Sequence, residues 1–169
     1  MLHVDLTEFA KTGALGTIER DATRSQITKL LGMPDQADSY PGVITYGHIS
    51  FDLAGGDGPG CTIQISFPHT THDTAKSPRD SAWTNRLLFN QWPDHRLSWE
   101  LGSYREGATI DELAPETKGF VETELITSTN DLRIFHNPNS RVDLIFETDL
   151  RCNTRTLSCM VAHGGNIAG

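Results

Sequence analysis

The sequence predicts an α+β chain in which short helices pack on antiparallel sheet, laid out as two similar helix-plus-strands units. Three observations predict this. Residues 13–67 read as an amphipathic helix, a Gly-Met-Pro-Asp break and three short strands. Residues 102–163 read as a second helix signal, a break and three or four strands. The 15 glycines and 8 prolines supply the turns that so many short strands require. The expected organisation is a first unit over 1–67, a linker with a short helix over 68–101 and a second unit over 102–169. Together they form one compact body, as a pseudo-symmetric tandem repeat.

The elements follow from local chemistry. Val4, Leu6, Phe9 and Leu15 form an opening segment that packs on the body. Thr17–Leu31 is the strongest helix signal. Asp21 or Thr23 can cap it, because a short side-chain oxygen accepts from the free amides of a first helical turn. Gln26, three residues after Thr23, completes a capping box. Ile27, Leu30 and Leu31 share one face. Gly32 ends the helix and Pro34 prevents its resumption. Val43–Tyr46 and Ile49–Leu53 flank a tight Gly47–His48 turn, with Ile49, Phe51 and Leu53 alternating with polar residues. Gly55–Gly60 is a hairpin loop, and Ile63, Ile65 and Phe67 form the next inward row.

Residues 68–82 are linker by composition. Trp83–Asn90 can make one or two helical turns before Trp92-Pro93, and Leu97–Leu101 starts a short strand or turn. Thr109 and Glu112 repeat the capping-box pattern ahead of Pro115. Phe120–Ser128 is a strand. Leu132–His136 and Val142–Glu147 flank the turn Asn137-Pro138-Asn139-Ser140, and Thr156–Ala162 is the last strand. The tail from His163 is expected to fray.

Charge narrows the function classes. The net charge is −8, and the segment Glu106–Asp131 holds seven acids against one base, Lys118. Such a surface repels nucleic acid and anionic lipid and draws in a basic protein. No run approaches the roughly 18 apolar residues of a membrane span. The N-terminal stretch lacks the basic-then-apolar pattern of a secretory signal, so the expected compartment is the cytoplasm. Cys61, Cys152 and Cys159 form no C-x-x-C pair, as fits reduced, buried thiols.

Catalytic motifs are sparse. His69-Thr70-Thr71-His72-Asp73 places two imidazoles and a carboxylate close enough to suggest a metal site, but a linker does not hold ligands rigidly. No metal or other cofactor is therefore expected. Gly55–Gly60 lacks the Lys-Ser/Thr of a phosphate loop, and no Gly-x-Ser-x-Gly elbow occurs. An enzyme site assembled from His69, His72, Asp73 and His95 is one alternative, and a small-ligand module is another. Trp83, Trp92, Trp99, Phe89 and Tyr104 lie close along the chain, and large aromatic residues recur as interface anchors. Trp92 and Tyr104, with polar neighbours, are the candidates for exposure.

The stretch from Thr23 through Leu30-Leu31-Gly32-Met33-Pro34-Asp35, followed by Tyr46-Gly47-His48-Ile49, resembles a group of small bacterial immunity-type proteins. These have a helix ending Leu-Leu-Gly-x-Pro-Asp ahead of a Tyr-Gly-x-hydrophobic strand pair. The tandem plan is also similar to the β-lactamase-inhibitory-protein-like architecture. The second half has no matching Leu-Gly-x-Pro-Asp. The resemblance implies a non-catalytic binding protein, and most specifically an immunity protein that occludes a basic toxin domain. Glu122, Glu124, Asp143 and Glu147 on outward strand positions are the expected contacts for the toxin's Lys and Arg, with Trp92 or Tyr104 as anchor.

Overall fold

The computed structural model describes residues 1–37, 42–53, 60–67, 97–105, 107–123, 132–149 and 153–164. The described chain is α+β: three helices accompany one large antiparallel sheet and a small parallel ribbon. The elements in order are β1 (Leu2–Asp5), α1 (Leu6–Thr12), α2 (Arg24–Leu31), β2 (Gln36–Ala37), β3 (Val43–Tyr46), β4 (Ile49–Leu53) and β5 (Cys61–Ser66). Then come β6 (Leu97–Glu100), α3 (Ile110–Leu113), β7 (Val121–Thr123), β8 (Leu132–Asn137), β9 (Val142–Asp149) and β10 (Thr154–Ala162).

The opening segment is buried as expected: Val4, Leu6, Phe9 and Leu15 are all inaccessible. It also has structure that the sequence did not announce. Asp5 caps α1 by accepting from the Thr7 and Glu8 amides at 2.8 and 3.3 Å. Gly13 closes α1 in the left-handed conformation (φ 73°), donating its N–H to the Phe9 carbonyl. The second helix begins at Arg24, not Thr17, because the cap is Thr23. Its hydroxyl accepts from the Gln26 amide while the Gln26 side chain accepts from the Thr23 N–H, the expected capping box. Ile27 and Leu31 are buried, but Leu30 is half exposed. An eight-residue helix lying on a sheet buries only a narrow stripe. Thr109 and Glu112 make the same box at α3.

The large sheet runs β2-β3-β4-β5-β10-β9-β8-β7. Each of the two stretches, β2–β5 and β7–β10, is an up-and-down meander, and their last strands join edge to edge. In that join Ile63 pairs with Ala162 and Ile65 with Met160. An extra residue in β10 between Leu157 and Cys159 bends the strand across the seam, where the Ser158 carbonyl accepts from Phe67 N–H at 2.7 Å. Leu97–Glu100, placed by composition at the end of the linker, forms a parallel ribbon with β1, with Val4 opposite Trp99.

Alternation assigns the sheet faces. Ile44, Phe51, Ile63, Ile65, Leu144, Phe146 and Met160 point inward, forming one core with Phe9, Ile27, Leu31 and Leu113 of the helices. Along the opposite face runs a row in which His136, Asp143, Val161, Gln64, Ser50 and Thr45 are successive neighbours. Among the described residues, no helix is long and apolar enough to cross a membrane.

The seam is the natural place to probe stability. Ile65→Ala and Met160→Ala should each cost about 2–5 kcal/mol in denaturant unfolding. Because the two side chains are register partners, the double variant should depart from additivity by about 0.5 kcal/mol or more.

Candidate functional site

A cleft of about 1000 Å³ opens at one end of the molecule. One wall is β1–α1, with His3, Asp5, Glu8 and Thr12. A second is the loop Ala14–Asp21, and a third is formed where the β8–β9 turn meets the end of β10, with Arg141, His163 and Gly164. The walls are tied together by backbone. Cys61 N–H donates to the Arg20 carbonyl at 2.8 Å, and the Arg20 guanidinium donates to the Ser140 carbonyl at 2.8 Å. Ser140 Oγ in turn donates to the Ala10 carbonyl at 2.8 Å. Gly164 lies so close that an added Cβ would sit 2.0 Å from the Cys61 carbonyl oxygen, so only glycine permits that approach.

The groups facing this cleft differ in how far the protein already uses them. Asp5 is occupied in capping α1, and Glu8 pairs with Lys11 at 3.0 Å. Glu19 and Asp21 have no side-chain hydrogen bond or ion pair among the described residues, and neither has Arg141. Arg141 also has a positive φ (57°), one of two such non-glycine residues among the described residues, a conformation costing an L-residue roughly 1–2 kcal/mol.

Behind the cleft, Asp143 bridges two imidazoles. Oδ1 lies 2.6 Å from His136 Nδ1 and Oδ2 lies 2.7 Å from His163 Nε2. Burial pushes the Asp143 carboxyl up, but the hydrogen bonds and charge of His163 and His136 outweigh it, leaving the carboxyl below its ordinary value. The arrangement fixes the His163 ring and ties β8, β9 and β10 together across the outer face. Among the described residues, no group of three or more His, Cys, Asp or Glu side chains could hold a metal ion.

The carboxylates expected to form an acidic docking face are largely engaged within the chain. Glu122 is exposed as expected, but Arg133 holds it through two contacts of 2.5 and 2.6 Å. The Arg133 hydrogen bond lowers its carboxyl, with Arg155 adding to the effect. Asp143 is pinned by its two histidines, and its side chain is only 18% exposed. Glu147 is partly buried and is also engaged within the chain. Glu112 pairs with Arg105 at 2.5 Å.

The expectation for Tyr104 is corrected outright. It is 1% exposed and packed in the core, with burial and the nearby Glu116 raising its hydroxyl to about 12. Its polar sequence neighbours Ser103 and Arg105 gave no sign of this, because they lie in a turn around a buried ring. Trp92, Glu124, His69, His72, Asp73 and His95 lie outside the described residues. The cleft residues Glu19, Asp21, Arg141 and His163 carried no motif. The one available signal was an arginine directly after Asn-Pro-Asn-Ser, where a hairpin turn usually wants glycine or asparagine.

No family model, curated protein or solved structure matches the chain.

Two outcomes follow from these environments. Asp143 has a depressed pKa in the folded protein, so its stabilising contribution is present above its unfolded value near 3.8 and is lost as pH falls through the folded value. Asp143→Asn should therefore cost about 1–3 kcal/mol near neutral pH and progressively less in acid, read by denaturant unfolding across pH. Burial raises the Cys61 thiol to about 11 and the Cys159 thiol to about 12, with Asp21 adding to the first and Glu147 and Asp143 to the second. Both should stay unmodified by a thiol reagent at about pH 8 in the folded chain and react once it is unfolded.

Proposed function

We propose that the chain is a non-catalytic protein-binding protein of the immunity type, acting in the cytoplasm by occluding a basic toxin domain. The observation that carries this reading is an open cleft bearing two carboxylates, Glu19 and Asp21, that have no partner among the described residues, in a chain of net charge −8. Unpaired carboxylates on concave surface focus a negative field, which speeds the approach of a basic partner and repels nucleic acid and anionic lipid. A chain neutralising a toxin needs rapid capture, and electrostatic steering provides it. The raised thiols fit a binding role better than a nucleophilic one. The contact region on this reading is the rim at Glu19 and Asp21, with Asp5 and Glu8 beside it, and not the ion-paired Glu122 region. Trp92 and Glu124, which lie outside the described residues, remain proposed contacts for the partner.

We also propose that the two meanders descend from one repeated unit. In its favour, each half contains a strand, a Thr-capped helix and then four antiparallel strands, the first half carrying α1 in addition, and the sheet order is symmetric about the β5–β10 pair. On this reading the β1–β6 ribbon pairs the equivalent opening strands of the two copies.

The test is calorimetric titration of the full chain with the purified basic domain encoded by a neighbouring reading frame. Binding should weaken from low to physiological salt. Charge reversal at Glu19→Lys with Asp21→Lys should weaken it by about tenfold or more, whereas Glu122→Gln should change it little. Salt-insensitive binding, equal loss from Glu122→Gln, or the absence of any such basic domain would remove the reading.

A further inference from the structure

We infer that the cleft is a binding site for a zwitterionic small molecule of the amino-acid or short-peptide class, independent of any protein partner. The volume of about 1000 Å³ lies at the upper end of small-ligand sites. What sets the ligand's chemistry is that unused groups of both signs border the same space. Arg141 is half-buried, and its guanidinium has no partner among the described residues. A guanidinium is a fork of donors that matches a carboxylate in two parallel hydrogen bonds. Glu19 and Asp21 flank Arg20, whose guanidinium reaches the carbonyl of Ser140, the residue before Arg141. The unpaired acids and the unpaired base therefore belong to segments that are bonded to each other.

A simple anion would meet Arg141 but also the field of Glu19 and Asp21, with Asp5 and Glu8 beside them, and a simple amine would meet those carboxylates but leave Arg141 unsatisfied. A molecule carrying one ammonium and one carboxylate satisfies both sets at once. His163 adds a polar group in a fixed orientation. Its Nε2 is taken up by Asp143, which leaves Nδ1 as the ring nitrogen without a partner among the described residues. The wall is also rigid where the ligand would rest, since Gly164, Cys61 and Arg20 are in direct backbone contact.

The left-handed backbone at Arg141 makes the test clean. Arg141→Gly removes the guanidinium and relaxes the φ of 57°, so the variant should fold at least as well as the parent, and Arg141→Asn provides a second tolerated change. The experiment follows backbone amide shifts of the full chain while glycylglycine, acetate or methylammonium is added. Glycylglycine should give saturable shifts at Arg20, Arg141, His163 and Gly164, with an affinity about tenfold or more above either single-charge probe. Arg141→Gly should abolish that preference while thermal stability holds or rises. Glu19→Gln with Asp21→Asn should reduce glycylglycine binding to the level of acetate. Three outcomes each overturn the inference: no saturable shift at the cleft, equal affinity for acetate and glycylglycine, or unchanged binding in well-folded Arg141→Gly.

Discussion

The hydrogen-bonded join of β5 to β10 is the constraint on which the rest of this structure depends. Each meander alone is a four-stranded sheet with one apolar face and two open edges. Joining them makes one sheet broad enough to be covered by helices from both halves of the chain, with the cleft's walls gathered at one end. The cost is in chain entropy. Ile63 and Ala162 are brought together across more than half of the sequence, as are Leu2 and Leu97 in the small ribbon. Contacts of that separation are made late, after local hairpins have formed, because loop closure is unfavourable until the pairing rewards it. The apolar pairs at the seam, Ile65 with Met160 and Ile63 with Ala162, are the kind of contact that can offset that cost.

Register at the seam propagates to the site. A one-residue slip would send Met160 outward and Val161 inward, and would move Asp143 away from His163. The two imidazoles that grip Asp143 come from β8 and from just past the end of β10, so the bridge spans the three strands only in the observed register. The extra residue in β10 absorbs the twist without altering the pairing nearer the cleft. The position of His163 beside Arg141, whose carbonyl accepts its N–H, thus derives from core packing on the sheet's opposite face.

Local chemistry was legible in the sequence, and long-range pairing was not. Thr23 with Gln26 and Thr109 with Glu112 announced their helices because a capping box is complete within four residues. The hairpins at Gly47–His48 and after Asn137 were equally readable from turn residues between alternating strands. Nothing in the sequence of β1 or β6 says that they pair in parallel, and nothing short of the fold brings Arg20 to Ser140. Tyr104 misled because exposure was inferred from its neighbours' polarity. A turn can place polar residues in water while its central ring drops into the core, as Ser103 and Arg105 do around this one.

Acidic composition along the chain and acidic surface in space are different quantities. A segment with seven acids and one base looks like a docking face in one dimension. In three dimensions its neighbours in space, not in sequence, decide how much charge is left over. Arg133 on β8 faces Glu122 across the strand pair, Arg155 on β10 adds to the same field, and Arg105 reaches Glu112 from the preceding turn. Exposed pairs of this kind contribute little to stability, but they do cancel the local field. What an approaching molecule meets at short range is set by the residues left unpaired, and among the described residues Glu19, Asp21 and Arg141 are in that position around one cleft. The distinction separates two properties that composition merges. Net charge governs how quickly partners arrive and which are turned away. The few groups that folding leaves without an internal partner, held on rigid backbone, govern what can stay.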